Sequence, residues 1–207
     1  MAVRTAGRRP LIVGVGGTGR FGSTTERALL LALRGAEDGG AEVVSFDGAF
    51  LAELPLFRPG LAAGSPRVRE LLAAVARSDG LIVASPSYHG GVSALVKNAL
   101  DHMELLREEP RPYLDRRAVG CVVTAAGGQA GGVTLAALRS IVHALRGWPT
   151  PLGATVTTSE RSLQAGNGDV VDASETQLRA VGHQVVEFAM AFGTATAELP
   201  AGTGAVR

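Results

Sequence analysis

The sequence predicts an open parallel β-sheet covered by helices on both faces. Short apolar segments alternate five times with stretches whose apolar residues have helical spacing, a pattern typical of parallel α/β folds. Three of these segments, 11–15, 80–84 and 118–124, are almost continuously apolar, as expected for strands buried on both faces. The 207 residues suit one domain, and a hydrophobic content of 46% is sufficient for a packed core.

The predicted elements follow one another in regular order. Strands are predicted at 11–15, 42–46, 80–84, 118–124 and, from a weaker signal, 154–157. Helices are predicted at 23–34, 66–77, 92–106, 132–145 and 172–192. Residues 10–192 are therefore expected to form one domain, with flexible segments at 1–9 and 193–207. A Pro- and Gly-rich loop at 54–66 is long enough to serve a site or an interface.

Composition and charge exclude several classes of protein. The 20 Lys and Arg residues are balanced by 19 Asp and Glu residues, so no nucleic-acid partner is predicted. The apolar run after Arg9 is shorter than the roughly 7–15 residues of an export signal, and no run reaches the roughly 18 of a membrane span. A cytoplasmic location is expected. The chain has a single cysteine, Cys121, so an intrachain disulfide is excluded, and the apolar strand around it predicts a buried core thiol. No histidine has metal-ligand spacing.

A glycine-rich loop with hydroxyls and one arginine follows the first strand. It contains Arg20 and four hydroxyl residues, which are Thr18, Ser23, Thr24 and Thr25. The next helix is predicted to begin near Ser23, so the positive end of its dipole points at the loop. Backbone N–H groups, hydroxyls and a guanidinium together suit a phosphate monoester.

Two other phosphate-binding motifs compete for this loop. A Walker loop requires a lysine after its last glycine, where this sequence has Ser23, and the only lysine is Lys97. The residues from Gly14 to Gly19 match the dinucleotide pattern G-x-G-x-x-G, which leaves a Rossmann NAD-binding enzyme as an alternative. The acidic residue expected about 20 positions later is not well placed, and Asp47 is too distant.

Two further loops follow the third and fourth strands. The first contains Pro86, Ser87, Tyr88, His89 and Gly90, and the second contains Gly127, Gly128 and Gln129. Because the carboxyl ends of parallel strands meet at one edge of the sheet, all three loops are expected to lie together. The flat rings and the accessible backbone of the second and third loops could hold the edge of a heteroaromatic ring.

These motifs resemble the NADPH-dependent FMN reductase family of flavodoxin-like proteins. The loop from Gly17 to Thr25 fits the family pattern G-S-x-R-x-x-S-x-[ST], with Thr18 in place of the usual serine. The residues from Pro86 to Gly90 fit P-x-Y-[NH]-G and lead to the expected Lys97-Asn98 pair, although Ser87 replaces a commonly acidic residue. The Gly-rich turn at 127–129 and the Leu-Pro-Leu-Phe segment at 54–57 complete a resemblance that covers about residues 10–192.

The resemblance implies a flavodoxin-like three-layer α/β/α sandwich with a five-stranded parallel sheet of order 2-1-3-4-5. It places FMN at the switch point between strands one and three and implies a homodimer or homotetramer. The FMN phosphate would contact Thr18, Arg20, Ser23, Thr24 and Thr25. The isoalloxazine would be bordered by Pro86, Ser87, Tyr88, His89 and Gly90, and the site would be completed by Gly127, Gly128 and Gln129.

The implied activity is hydride transfer from NADPH or NADH through FMN to a small-molecule acceptor, with no obligatory catalytic side chain. The acceptor could be quinone-like, an azo or nitro compound, a metal oxyanion or a flavin. A tailoring or flavin-supplying role in a biosynthetic pathway, with a flavin-dependent monooxygenase as partner, is one version of this activity. A flavodoxin-type electron carrier without direct NAD(P)H activity remains an alternative.

Overall fold

A computed structural model describes residues 8–59, 64–158 and 173–198 of the chain, with side chains as far as residue 192. The strands are β1 (Leu11–Gly16), β2 (Glu42–Phe46), β3 (Gly80–Tyr88), β4 (Gly91–Val92), β5 (Ala118–Ala125), β6 (Trp148–Pro149) and β7 (Ala154–Thr157). The helices are α1 (Thr24–Asp38), α2 (Gly48–Ala52), α3 (Pro66–Arg77), α4 (Ala94–Asp101), α5 (Gly128–Ala144) and α6 (Ala173–Glu198). A 3-10 helix, His102–Leu106, continues α4.

The predicted strand order is confirmed. The sheet has the path β2-β1-β3-β5-β6, and β7 pairs with β5 on the same outer side as β6. The last predicted position is therefore shared by two short strands, because Pro149 and Pro151 cannot donate hydrogen bonds to a continuous ladder. The remaining strand, β4, forms an antiparallel hairpin with the end of β3.

Helices cover both faces of the sheet, as predicted, and each face has its own apolar core. Alternate residues of β1 illustrate the division: Ile12 packs with α1 and α6, whereas Val13 packs with α3, α4 and α5. Helices α1 and α6 approach closely where a Cβ atom on Gly35 would overlap the backbone of Arg179. This three-layer arrangement leaves the ends of the strands as the accessible edges of the sheet.

Several predicted boundaries differ from those in the structure. Helix α2 was not predicted; it begins where the Asp47 carboxylate accepts a hydrogen bond from Phe50 N at 2.8 Å. Helix α6 continues past the predicted end at 192 to Glu198, since the first proline after it is Pro200. Of the segments predicted to be flexible, 1–9 and 193–207, residues 1–7 and 199–207 lie outside the described residues. None of the described helices has the length and apolar character of a membrane span.

Candidate functional site

The loops after β1, β3 and β5 leave the sheet side by side. Gly16, the last residue of β1, lies opposite Ala84 of β3, and Pro86 of β3 lies opposite Thr124 of β5. A Cβ atom on Gly16 would overlap the carbonyl of Ala84, so the two strands require glycine at this point. The three segments that the sequence analysis singled out therefore meet at the carboxyl edge of the sheet.

The loop after β1 rests on the first turn of α2. Gly17 has a φ of 125°, and a Cβ atom there would lie 2.6 Å from the backbone nitrogen of Gly48. In turn, a Cβ atom on Gly48 would overlap the backbone of Thr18. Gly48 is thus part of the framework of this loop, although no motif in the sequence identified it.

The first turn of α1 is closed by reciprocal hydrogen bonds. The Ser23 hydroxyl accepts from Glu26 N at 3.2 Å, and the Glu26 carboxylate accepts from Gly22 N at 2.9 Å. This arrangement is close to a capping box, in which a Ser and a Glu three positions later each cap a backbone N–H group. Ser23 is buried, and its oxygen serves the helix.

A second arginine, Arg27, folds back on the same loop. Its guanidinium donates to Gly22 O at 2.8 Å and to Thr24 Oγ1 at 3.3 Å. The sequence analysis missed Arg27 because it lies outside the motif; its position on the first turns of α1 was the only signal available. Arg27 therefore adds a second positive charge to the first turns of α1.

Arg20 is the cation of this loop that remains available. The Thr18 hydroxyl accepts from Arg20 N at 3.2 Å and donates to Arg20 O at 3.3 Å, so the backbone of the turn is held by its own side chain. The exposed Arg20 guanidinium makes no hydrogen bond or ion pair with any described residue. The loop thus presents one uncommitted guanidinium together with the positive end of α1.

Thr25 takes a different direction from the other hydroxyl residues. Its Oγ1 atom lies 2.6 Å from Oγ1 of Thr124, and both side chains are 2% exposed. The structure therefore turns the Thr25 hydroxyl towards β5. The backbone N–H groups of Thr24 and Thr25, in the first turn of α1, have no acceptor within the helix.

The loop after β3 is a two-residue hairpin turn. Tyr88 pairs with Gly91, and the turn residues His89 and Gly90 have φ values of 53° and 77°. Two consecutive left-handed residues are typical of a type I′ turn, whose twist suits a hairpin. β3 therefore extends beyond its predicted end at residue 84. Pro86 is tolerated within it because β1 has already ended opposite Ala84.

Ser87 fastens this hairpin to α5. Its Oγ atom lies 2.7 Å from Oγ1 of the buried Thr134 and donates to Ala130 O at 3.2 Å. The rings of Tyr88 and His89 remain exposed, with Tyr88 55% accessible. Val133 of α5 is equally exposed, next to Gly90. The structure thus brings two flat rings and an apolar side chain to the rim.

The third segment is the start of a helix, whereas the sequence predicted a turn with the helix beginning at 132. Helix α5 begins at Gly128, after Gly127 as its cap, and no side chain caps it. The glycines hid this start because they have low helix propensity. The first intrahelical bond runs from Gly131 N to Gly127 O, so the N–H groups of Gly128 and Gln129 are directed to the exposed edge.

The Leu-Pro-Leu-Phe segment and Asn98 form one unit. The Asn98 side chain accepts from Phe57 N at 2.8 Å and donates to Pro55 O at 3.1 Å. Nε2 of the buried His102 donates to the same carbonyl at 2.9 Å. These bonds hold Leu56, which is 72% exposed, on a rigid backbone. The Leu-Pro-Leu-Phe segment and the Asn98 motif, joined by a hydrogen bond between residues 41 positions apart, therefore form one structural unit.

Other candidate chemistries find little support at this edge. Gly14 lies inside β1 against Leu33 rather than in a turn, so the dinucleotide pattern is not matched at a phosphate-binding bend. The Asp47 carboxylate, which directly follows β2, is used to cap α2. Cys121 is a buried core thiol, as predicted, and its burial raises the pKa of the thiol to about 12. The described residues include no cluster of His, Cys, Asp or Glu placed to hold a metal.

Known proteins similar to this chain are flavin-dependent oxidoreductases. The model of the NADPH-dependent FMN reductase family matches residues 10–161. An FMN-dependent NADPH-azoreductase from Staphylococcus aureus is 30% identical over 141 residues, which are 63% of this chain and 69% of the relative.

Solved structures with the same fold have lower sequence identity. A flavoenzyme NAD(P)H:(acceptor) oxidoreductase from Paracoccus denitrificans has a TM-score of 0.71 at 17% identity, with 88% of this chain and 98% of that chain covered. An NADH:FMN oxidoreductase has a TM-score of 0.64 at 22% identity, covering 88% and 89%. A WrbA-like flavodoxin from Agrobacterium tumefaciens has a TM-score of 0.60 at 21% identity, covering 88% and 98%. These neighbours share a flavodoxin-like architecture with this chain.

Proposed function

The chain belongs to the NADPH-dependent FMN reductase family, and on that basis we propose that it reduces neutral, flat conjugated acceptors with electrons from NADPH. Members of this family are flavin-dependent oxidoreductases that use FMN and NAD(P)H. FMN, when bound, supplies the reversible acceptance of hydride, while the protein supplies binding, orientation and exclusion of side reactions.

The loop after β1 is suited to the phosphate of FMN. Arg20 contributes a guanidinium without a partner among the described residues, and the first turn of α1 contributes N–H groups and a positive dipole end. Arg27 already donates to Gly22 O and Thr24 Oγ1, which leaves Arg20 to balance an anionic ligand. Thr18 and Ser23 support this site chiefly by holding the turn and the helix start in shape.

The hairpin and the start of α5 are suited to the flavin ring. Tyr88 and His89 present exposed rings on one side, and Gly127, Gly128 and Gln129 present an uncapped helix N-terminus on the other. Exposed N–H groups and a positive dipole end favour the carbonyl-bearing edge of the ring system. Pro86 and Gly90 leave space for close approach, while Ser87 fixes the hairpin through Thr134.

The observation that carries the choice of acceptor is the lack of charge on the ring side of the site. Segments 80–96 and 118–138 contain no Asp, Glu, Lys or Arg. A metal oxyanion or a sulfonated dye would lose its hydration there without meeting a compensating cation, since Arg20 is used by the phosphate. A neutral quinone or azo compound would instead stack against aromatic and apolar groups.

An anaerobic addition of NADPH to the FMN-loaded protein tests the activity. Rapid loss of the oxidised flavin absorption bands is expected, because the bound flavin takes up hydride directly. Stable FMN binding without bleaching by NADPH or NADH would contradict the reductase and favour the electron carrier. A protein that takes up no FMN would contradict the site itself.

A panel of acceptors then tests the substrate class. We expect kcat/KM to be highest for a neutral benzoquinone or azo dye and lower for the sulfonated form of the same dye and for chromate. A preference for chromate or the sulfonated dye would overturn the proposed class. If free FMN is the best acceptor and leaves as reduced FMN, the chain supplies flavin to a partner instead.

A second copy of the chain completes this proposed enzyme. Leu56 and, on the hairpin, Tyr88 are large, exposed side chains, and Asn98 holds the backbone around Leu56. Large apolar groups that are held rigidly in solvent favour an interface. Light scattering on the wild type and on Leu56→Ser should show a dimer that dissociates in the variant, and a wild-type monomer would contradict this part.

A further inference from the structure

Two buried hydroxyls connect the first turn of α1 to the end of the central strand β5. Thr25 Oγ1 and Thr124 Oγ1 lie 2.6 Å apart, although 99 positions separate the two residues in the chain. Each side chain is 2% exposed, so water does not substitute for either partner. Thr124 belongs to none of the motifs that identified the site, and its position within an apolar strand offers no reason of its own for a hydroxyl.

The pair determines the position of the first turn of α1 on the sheet. In a pair of hydroxyls one donates and the other accepts, and a buried hydroxyl that loses its partner is costly. The N–H groups of Thr24 and Thr25 are in this turn and have no acceptor within the helix. Their direction is therefore set by the anchoring of Thr25 on β5.

Thr124 also stands next to the opposite end of the site. Ala125 ends β5, and Gly127 caps α5. The pair thus joins the anion-binding turn of α1 to the segment that would contact the flavin ring. A ligand with a phosphate at one end and a ring at the other requires both subsites at a set separation.

We propose that Thr124 is a positioning residue for FMN, which holds the phosphate-binding turn of α1 in register with the ring-binding start of α5 through the Thr25–Thr124 hydroxyl pair. This inference rests on the proposed function, because it requires FMN at this edge. Thr124 touches neither the phosphate nor the reacting atoms in this account. Its effect on the cofactor passes through Thr25 and the backbone of α1.

The dissociation constants of FMN and riboflavin, measured by fluorescence, test this role in the Thr124→Val variant. Riboflavin has the same ring but lacks the phosphate. We expect about tenfold weaker binding of FMN, as for the loss of one well-placed hydrogen bond to a charged group, and riboflavin binding within about twofold of wild type. Thr124→Ser keeps the hydroxyl and should restore FMN binding.

Two further variants separate positioning from stability. Thr25→Val with Thr124→Val removes both hydroxyls, so neither is left unpaired; the urea midpoint should recover while FMN binding stays weak. Thr150→Val is the matched control, since Thr150 is also buried and donates to Leu152 O at 2.8 Å beside β6. It should lower the urea midpoint without changing the ratio of the FMN and riboflavin dissociation constants.

Equal weakening of FMN and riboflavin, or an unchanged FMN dissociation constant in Thr124→Val, would overturn the role of Thr124. If that variant does not fold, the double variant decides, and wild-type FMN binding in it would overturn the role. If the variants give one of these contrary results while the wild-type protein binds FMN, the role of Thr124 is refuted and the proposed function is retained. Wild-type protein that binds no FMN refutes both.

Discussion

The two edges of the sheet use arginine in opposite ways. At the carboxyl edge, the Arg20 guanidinium is exposed and has no partner among the described residues. At the amino edge, Arg117 is fully buried, and its guanidinium donates to the carbonyls of Ala76, Ser78, Tyr113 and Asp115 at 2.7–3.3 Å. The same fork of donors stabilises the protein at one edge and is left for a ligand at the other.

The amino edge is closed by charge as well as by hydrogen bonds. The Asp79 carboxylate accepts from Leu11 N at 2.8 Å and from Arg8 at 2.7 Å, and Arg111 donates to Ser78 O at 3.2 Å. Burial, and secondarily the nearby Arg111, lowers the pKa of Arg117 to about 10. The burial of this cation is unfavourable, so its hydrogen bonds to these carbonyls explain its place. An exposed guanidinium without a partner among the described residues therefore distinguishes the candidate site from the closed edge.

The largest effect is expected at the closed edge. Arg117→Met keeps a long unbranched side chain but removes the side-chain donor of three partly buried carbonyls, those of Ala76, Tyr113 and Asp115, which should lower the free energy of unfolding by about 3–5 kcal/mol. Urea denaturation measures it. Arg116→Met is the control, because Arg116 is exposed and forms only a long ion pair, at 3.8 Å, with Asp115. A loss in Arg117→Met no greater than that of the control would mean that the amino edge does not depend on this arginine.

At the open edge, the effect should appear in binding. Arg20→Ala is expected to weaken FMN binding by about 10- to 100-fold, because it removes a charge-assisted contact to phosphate. The urea midpoint should stay near that of wild type. Arg34→Ala removes the same charge from an exposed position of α1 and should leave FMN binding unchanged. Equal FMN affinity in the Arg20 and Arg34 variants would remove Arg20 from the phosphate site.

Asn98 extends the comparison, because its side chain lies near the open edge but forms its hydrogen bonds with the protein's own backbone. Asn98→Asp can still accept from Phe57 N but cannot donate to Pro55 O, which should lower the free energy of unfolding by about 1–2 kcal/mol. FMN binding should change little, since the lost bond is within the protein. Urea denaturation and flavin titration on one preparation measure both effects. A variant that loses FMN affinity but not stability would place Asn98 in the cofactor site.

The smallest effect concerns Cys121 and pH. Burial raises the pKa of the folded-state thiol to about 12, so the unfolded chain ionises first as the pH rises. This contribution to stability is present below the unfolded-state pKa and is lost as the pH rises towards 12. Between pH 8 and about 9.5 the free energy of unfolding should fall by about 1 kcal/mol more in wild type than in Cys121→Ala. Parallel pH profiles for the two proteins would show that the thiol ionises equally in both states.

The sequence was most informative where a pattern is local. The nearly continuous apolar runs of β1, β3 and β5 predicted buried parallel strands, and the Gly-rich loop with Arg20 predicted an anion site beside a helix start. It was least informative where one residue type is compatible with two local structures. Pro86 looked like the end of a strand although β3 continues to Tyr88, and the glycines from 127 to 132 looked like a turn although α5 has already begun.

The sequence by itself determined the alternation of strands and helices and the three loops at one edge, because residue types and their spacing carry that information. Only the tertiary structure decided which of the loop's polar groups are engaged. Ser23 serves the cap of α1, Thr25 is bound to Thr124, and Arg20 has no partner in the part of the chain that the structure describes. The partner of Thr25 is 99 positions away. A hydrogen bond between such distant residues leaves no periodicity in the chain, so it appears only when the strands and helices are packed together.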